Sequence, residues 1–150
     1  MPGTYSKLLV HVIFSTGKRV MAIKPEIEER LFAYVGGIIR DERGALLAAG
    51  GMPDHVHLLV RVPTDLSVAD LVRNAKARSS AWLHETFRDQ RDFAWQAGYG
   101  AFSVSPSQYE AVRRYIADQK GHHRGRSFQE EFVGFLSAHG IEYDERYLWD

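Results

Sequence analysis

The chain has 150 residues, with 45% hydrophobic and 25% charged side chains, the size and balance of one ordinary soluble domain spanning 1–150. Nineteen basic residues offset nineteen acidic ones, which excludes a histone-like, indiscriminate nucleic-acid binder but not a local basic patch. The absence of cysteine excludes disulfide and thiolate chemistry and fits a reducing cytoplasm; there is no signal-peptide pattern, and no apolar run approaches the ~20 residues of a membrane span.

Lys7 to Phe14 alternates, with Leu8, Val10, Val12 and Phe14 on one face and Leu9, His11 and Ile13 on the other, which predicts a first strand. Pro25, Glu26, Glu28 and Glu29 then suit a helix's first turn. Ile27, Leu31, Tyr34, Val35 and Ile38 recur at helical spacing to about Arg43, and Gly44 is expected to end the helix. Gly36-Gly37 weakens it by ~1 kcal/mol per glycine, and close backbone packing is the expected compensation. Ala45 to Met52, glycine-rich at its end, reads as a second strand that turns at Pro53-Asp54 into a third.

That third strand, His55-Val56-His57-Leu58-Leu59-Val60, puts Val56, Leu58, Val60 and Val62 on one face and His55, His57 and Leu59 on the other. Two imidazoles held side by side are a start for a metal site, and His11 is expected to share their face as a ligand or as a bonded neighbour. Ser67-Val68-Ala69-Asp70 is a capping-box signature, opening a helix that buries Leu71, Val72, Ala75, Trp82 and Leu83. It shows Arg73, Lys76 and Arg78 elsewhere, as candidates for phosphate contact. Tyr99 to Val104 suits a last strand. Ser107 to Glu110 reads as another capping box, opening a helix from about Gln108 to Lys120 that is stopped by Gly121. Ser127 to Glu130 caps one more helix, buried through Phe128, Phe132, Phe135 and Leu136 and ending at Gly140. The order is the ferredoxin-like βαββαβ plan, an α+β fold with an antiparallel sheet, helices on one face and additional C-terminal helices. It leaves open the face to which the histidines point.

On the helix from Gln108, Ala111, Tyr115 and Gln119 form an i, i+4 row, with His122 and His123 beyond its end. A metal on His55 and His57 would polarise a scissile phosphate, the Gln119 carbonyl is a neutral, hard third ligand, and Tyr115 supplies a hydroxyl nucleophile. Tyr109 is the rival nucleophile, but Arg113 stands four residues after it where Tyr115 has Gln119. Between Arg113 and Arg126, five cations (Arg113, Arg114, Lys120, Arg124 and Arg126) face one acid, Asp118, a local charge of +4 suited to a DNA backbone or to a solvated face. His122 and His123 read as phosphate contacts, cap residues or further ligands.

His55-Val56-His57 followed by Tyr115-Ile116-Ala117-Asp118-Gln119 resembles the single-tyrosine His-hydrophobic-His transposases of small bacterial insertion sequences (the 200/605 type) and their repeat-associated relatives. Met52 to Leu59, Lys76 to Trp82, Trp95 to Ser103, His122-His123 and the tail Tyr143 to Trp149 carry the same resemblance. It implies that Tyr115 attacks single-stranded DNA to form a 5′-phosphotyrosine link, with His55, His57 and Gln119 holding Mg²⁺ or Mn²⁺. It further implies a hairpin-bearing DNA substrate, a bacterial cytoplasmic setting and a homodimer, with cis or trans assembly of the site left open. Two other readings stand beside it: a domesticated hairpin-binding or nicking protein on the same scaffold, and a metal hydrolase that uses water.

Overall fold

Four segments form strands, β1 (Leu9–Ser15), β2 (Ala45–Met52), β3 (His55–Arg61) and β4 (Gly100–Val104), in a computed structural model that describes residues 3–122 and 125–149 and, at His122, only the backbone. Strand β2, whose sequence does not alternate, is held by its pairing with β3. The strands run antiparallel in the order β2-β3-β1-β4, as the ferredoxin-like plan requires. Register places His57 opposite Ile13 and His55 opposite Ser15 on β1, and opposite Gly50 and Met52 on β2.

The apolar face of the sheet is covered by α1 (Pro25–Asp41) and α2 (Val68–Thr86). Val12, Phe14, Val56, Leu58 and Val60 meet Ile27, Leu31, Val35, Leu71, Val72 and Leu83 there in one buried core. Pro25 opens α1 as expected, and the Ser67 hydroxyl caps α2 by accepting from the Asp70 amide at 3.0 Å. At the end of α1 the left-handed residue is Arg43 (φ 68°) and not Gly44. Gly44 is required for another reason: a Cβ there would lie 2.8 Å from the Arg61 carbonyl oxygen. The close packing expected at Gly36-Gly37 is absent, since a Cβ would meet nothing nearer than 3.6 Å at Gly36 or 3.8 Å at Gly37.

The histidine face carries α3 (Tyr109–Ala117), α4 (Gln119–His122) and α5 (Phe128–Ala138). The single helix expected from Gln108 to Lys120 is interrupted at Asp118 (φ −105°, ψ 37°), so Gln119 starts a new turn. The capping box expected at Ser107 does not form: that hydroxyl lies 3.0 Å from the Ser105 hydroxyl, and Glu110 takes Arg113 instead. The Ser127–Glu130 box forms in both directions and starts α5. Phe128, Phe132 and Leu136 of α5 need an apolar bed and find it on Ile13 and Phe102. The face expected to stay open is therefore closed, and His11, His55 and His57 are each at most 2% exposed. No helix among the described residues is long and apolar enough to cross a membrane.

Candidate active site

The two strands at the centre of the sheet place three imidazoles together, with ring centres 5.2 Å apart for His55 and His57 and 5.0 Å for His11 and His57. One nitrogen of each strand-β3 histidine is taken from behind: His55 Nδ1 bonds Asp54 Oδ1 and His57 Nδ1 bonds His11 Nε2, both at 2.8 Å. Such partners fix ring orientation and leave Nε2 for other work. The two Nε2 atoms converge on residues of α4 and α5. His55 Nε2 is 3.4 Å from Gln119 Oε1 and 3.4 Å from Glu131 Oε1, and His57 Nε2 is 2.9 Å from that same carboxylate oxygen.

These spacings fit a divalent cation. Ligands ~2.1 Å from a common centre lie ~3.0 Å apart at octahedral angles and ~3.4 Å apart at tetrahedral ones. The donor atoms of His55, His57 and Glu131 all lie within 4.8 Å of one another. Two imidazoles with an amide and a carboxylate oxygen suit manganese or zinc better than magnesium by ligand softness.

Tyr115, on α3, donates its hydroxyl to the other oxygen of Glu131, and its ring stands edge-on to His57 at 5.8 Å and Phe135 at 5.7 Å. Gln119, despite the helix break, reaches back through Nε2 to the Tyr115 carbonyl at 3.2 Å. Tyr115, His55, His57 and Gln119 thus come together within one chain. Burial and the nearby His57 push His11 down to about 3, so it sits neutral behind His57. Burial opposes charge on Glu131 too, yet bonds from His55 and His57 hold its carboxyl well below the usual carboxylate range. For His55, burial is outweighed by its bonds to Asp54 and Glu131, and it rises. Tyr115 is pushed well above the ordinary phenol range, first by burial and then by its bond to Glu131.

Glu131 is the residue that reading the sequence missed. Its signal was present: it lies three residues after Phe128 and four before Phe135, a lone acid on an otherwise aromatic helix face. It is 1% exposed and joins Tyr115, His55 and His57. In metal-free protein, Glu131→Gln is expected to cost ~3 kcal/mol, because buried imidazoles and a phenol lose a charged acceptor at once. Thermal melting should fall by roughly 6–12 °C, and an unchanged melting temperature would show that the bridge contributes nothing to seating α5.

The cations read as DNA contacts divide by sheet face. Arg73, Lys76 and Arg78 sit on α2, across the sheet from the histidines. Arg73 pairs with Asp70 at 2.8 Å and Arg78 with Asp41 at 3.1 Å. The Lys76 ammonium is 2.9 Å from the Gln96 carbonyl and 2.6 Å from that of Gly98, clamping the loop before β4, and burial lowers it to about 8. Arg113 and Arg114 on α3 lie against Glu110 at 2.9 and 4.0 Å, and Lys120 on α4 against Glu28 at 2.9 Å. The side chain of His122, and all of His123 and Arg124, lie outside the described residues. Tyr109 begins α3, six residues and ~9 Å of helix away from Tyr115.

A family model described as "Transposase IS200 like" matches residues 4–119, which include both histidines, Tyr115 and Gln119 but not α5. Transposases for insertion sequence element IS200 of Salmonella typhimurium and Salmonella typhi are each 26% identical to this chain over 115 residues, 73% of it and 74% of theirs. A crystal structure from Deinococcus radiodurans R1, described as that of a candidate transposase, superposes with a TM-score of 0.64 at 25% identity, covering 77% of this chain and 93% of that one. A REP-associated tyrosine transposase, solved bound to a REP hairpin, shares the fold with a TM-score of 0.56 at 16% identity, over 77% of this chain and 68% of that one.

Proposed function

The chain belongs to the IS200-like transposase family, enzymes that cut DNA and transfer its strands, and from that premise we propose that it cleaves and rejoins single-stranded DNA through a covalent 5′-phosphotyrosine. The observation that carries the reading is one carboxylate, Glu131, with the Tyr115 hydroxyl on one oxygen and the Nε2 atoms of His55 and His57 around the other. Nucleophile and metal donors are thus a carboxylate's width apart.

His55, His57, Gln119 and Glu131 are the residues proposed to hold a divalent cation, Mn²⁺ or Mg²⁺. When bound, that cation supplies Lewis-acid polarisation of the scissile phosphate and charge relief for the departing oxygen. Tyr115 contributes the attacking oxygen: a bond forms from it to phosphorus, the P–O3′ bond breaks, and a 3′-hydroxyl is freed. Glu131 accepts the phenol's hydrogen bond and so aims the attacking oxygen; the phenol proton is given up to solvent as the bond to phosphorus forms, and the departing 3′-oxygen takes one proton back from solvent. Attack by a 3′-hydroxyl on the phosphotyrosine reverses the step, so no external energy source is needed. Asp54 and His11 hold the two rings in register. Arg113, Arg114 and Lys120, on the same side of the sheet, are proposed to take backbone phosphates. A hairpin-bearing strand in the bacterial cytoplasm is the proposed substrate, and the family expectation of a homodimer is retained as part of the reading.

A second reading, a hairpin-binding or nicking protein without full transposition, is favoured by one observation. With α5 seated, His55 and His57 are 0% exposed, so a phosphate reaches them only after the start of α5 moves. The test uses 3′-labelled single strands, taken from the DNA flanking the gene, with Mn²⁺ or Mg²⁺. The expected result is a label that stays on the protein through denaturing electrophoresis, is lost with chelator and returns with added metal. Cut product without attached label would replace the tyrosine mechanism by hydrolysis, and binding without cutting would select the second reading.

A further inference from the structure

Beside the candidate active site, between the Thr16–Ala22 turn and the start of α5, lies a cleft of about 570 Å³ lined by Lys18, Arg19, Met21, Pro53, Arg126 and Phe128. Lys18 and Arg19 are consecutive non-glycine residues in the left-handed region, at φ 55° and 56°. Each costs ~1 kcal/mol or more, and strain of this kind persists only where the surroundings enforce it. The enforcement is visible. The Thr16 amide donates to the Asp54 carbonyl at 2.9 Å, the Gly17 amide to that of Ala94 at 2.7 Å, and the Thr16 hydroxyl to that of Val20 at 2.7 Å.

What this turn presents is charge without a carboxylate. Arg73, Arg78, Arg113 and Lys120 are all paired with acids on their own surface. No hydrogen bond or ion pair of the Lys18 ammonium occurs among the described residues, and the Arg19 guanidinium lies over the Trp149 ring at 5.5 Å. Next to them Val20 and Met21 are 57% and 67% exposed, apolar surface held out in water beside two cations. Cations for a backbone next to apolar faces for bases are the pattern of a single-strand groove. The groove also leads somewhere. Asp54 on its floor bonds His55 at 2.8 Å, and Phe128 in its wall stacks on the His55 ring at 4.5 Å.

We infer that this cleft is the channel along which the DNA strand flanking the scissile phosphate runs into the site, Lys18 and Arg19 holding its backbone and Met21 lying against a base. The inference rests on the single-strand substrate proposed above. Lys18→Gly/Arg19→Gly removes both cations while making the left-handed turn easy, so the protein should melt higher yet bind single-stranded DNA less well. With two fewer cations on the backbone of a single strand, the slope of log affinity against log salt should be shallower by ~1.4. A photoreactive thymine next to the cleavage position should crosslink to the peptide containing Met21. A variant with the wild-type salt slope, or a crosslink confined to α2, overturns the channel while the tyrosine adduct of the wild type still stands. A wild type with no affinity for single strands overturns both readings.

Discussion

Phenylalanine in place of Tyr115 is expected to abolish the covalent protein–DNA adduct and to lower strand cleavage by ~10⁴-fold or more, the scale seen when a catalytic nucleophile is removed. DNA binding should be unchanged. The exchange removes one oxygen and leaves the ring, whose edge contacts with His57 at 5.8 Å, Phe135 at 5.7 Å and His11 at 6.4 Å do not need the hydroxyl. Tyr109 cannot substitute, because ~9 Å of helix separates it from Tyr115 and α3 would have to slide nearly two turns. Single-turnover cleavage with both proteins, read on denaturing gels, decides the matter. Cleavage at the wild-type rate in Tyr115→Phe would make water the nucleophile and the buried phenol a mere hydrogen-bond donor to Glu131.

The strands, the two-faced β3 and the tyrosine helix were legible in the sequence because each depends on a short-range period. Val56, Leu58 and Val60 point one way and His55 and His57 the other, whatever covers them. What period does not encode is which surface a helix chooses. The aromatic stripe of α5 announced a buried helix, but not that its bed would be the histidine face, and so the openness of that face was misjudged and Glu131 was overlooked. The interruption at Asp118 was equally hidden, since Tyr115 and Gln119 keep an i, i+4 spacing in the sequence. Gln119 still reaches the Tyr115 carbonyl and His55, so the pairing survived for a tertiary reason and not for the helical one that suggested it.

The chain's two Gly-Gly pairs give the sharpest case, and they yield opposite predictions. At Gly37 of α1 nothing lies nearer a would-be Cβ than 3.8 Å, so Gly37→Ala is expected to stabilise the protein by ~1 kcal/mol through helix propensity alone. At Gly50 of β2 a Cβ would fall inside the carbonyl of Ile116, the residue that follows Tyr115 on α3. A helix backbone cannot yield as the tip of a long side chain can. Gly50→Ala must therefore push α3 off the sheet or twist β2, at the ~1–3 kcal/mol typical of overpacking. The larger consequence is positional. Tyr115 and Gln119 flank Ile116, so any shift of that carbonyl carries the nucleophile and an amide donor away from His55 and His57. Misplacement of reacting groups by ~1 Å costs about 10²-fold, so adduct formation should fall by that factor in a protein that remains folded. Melting curves and adduct rates measured on both variants separate the effects. A Gly50→Ala protein that forms adduct at the wild-type rate would mean that α3 is not seated on β2 when it reacts.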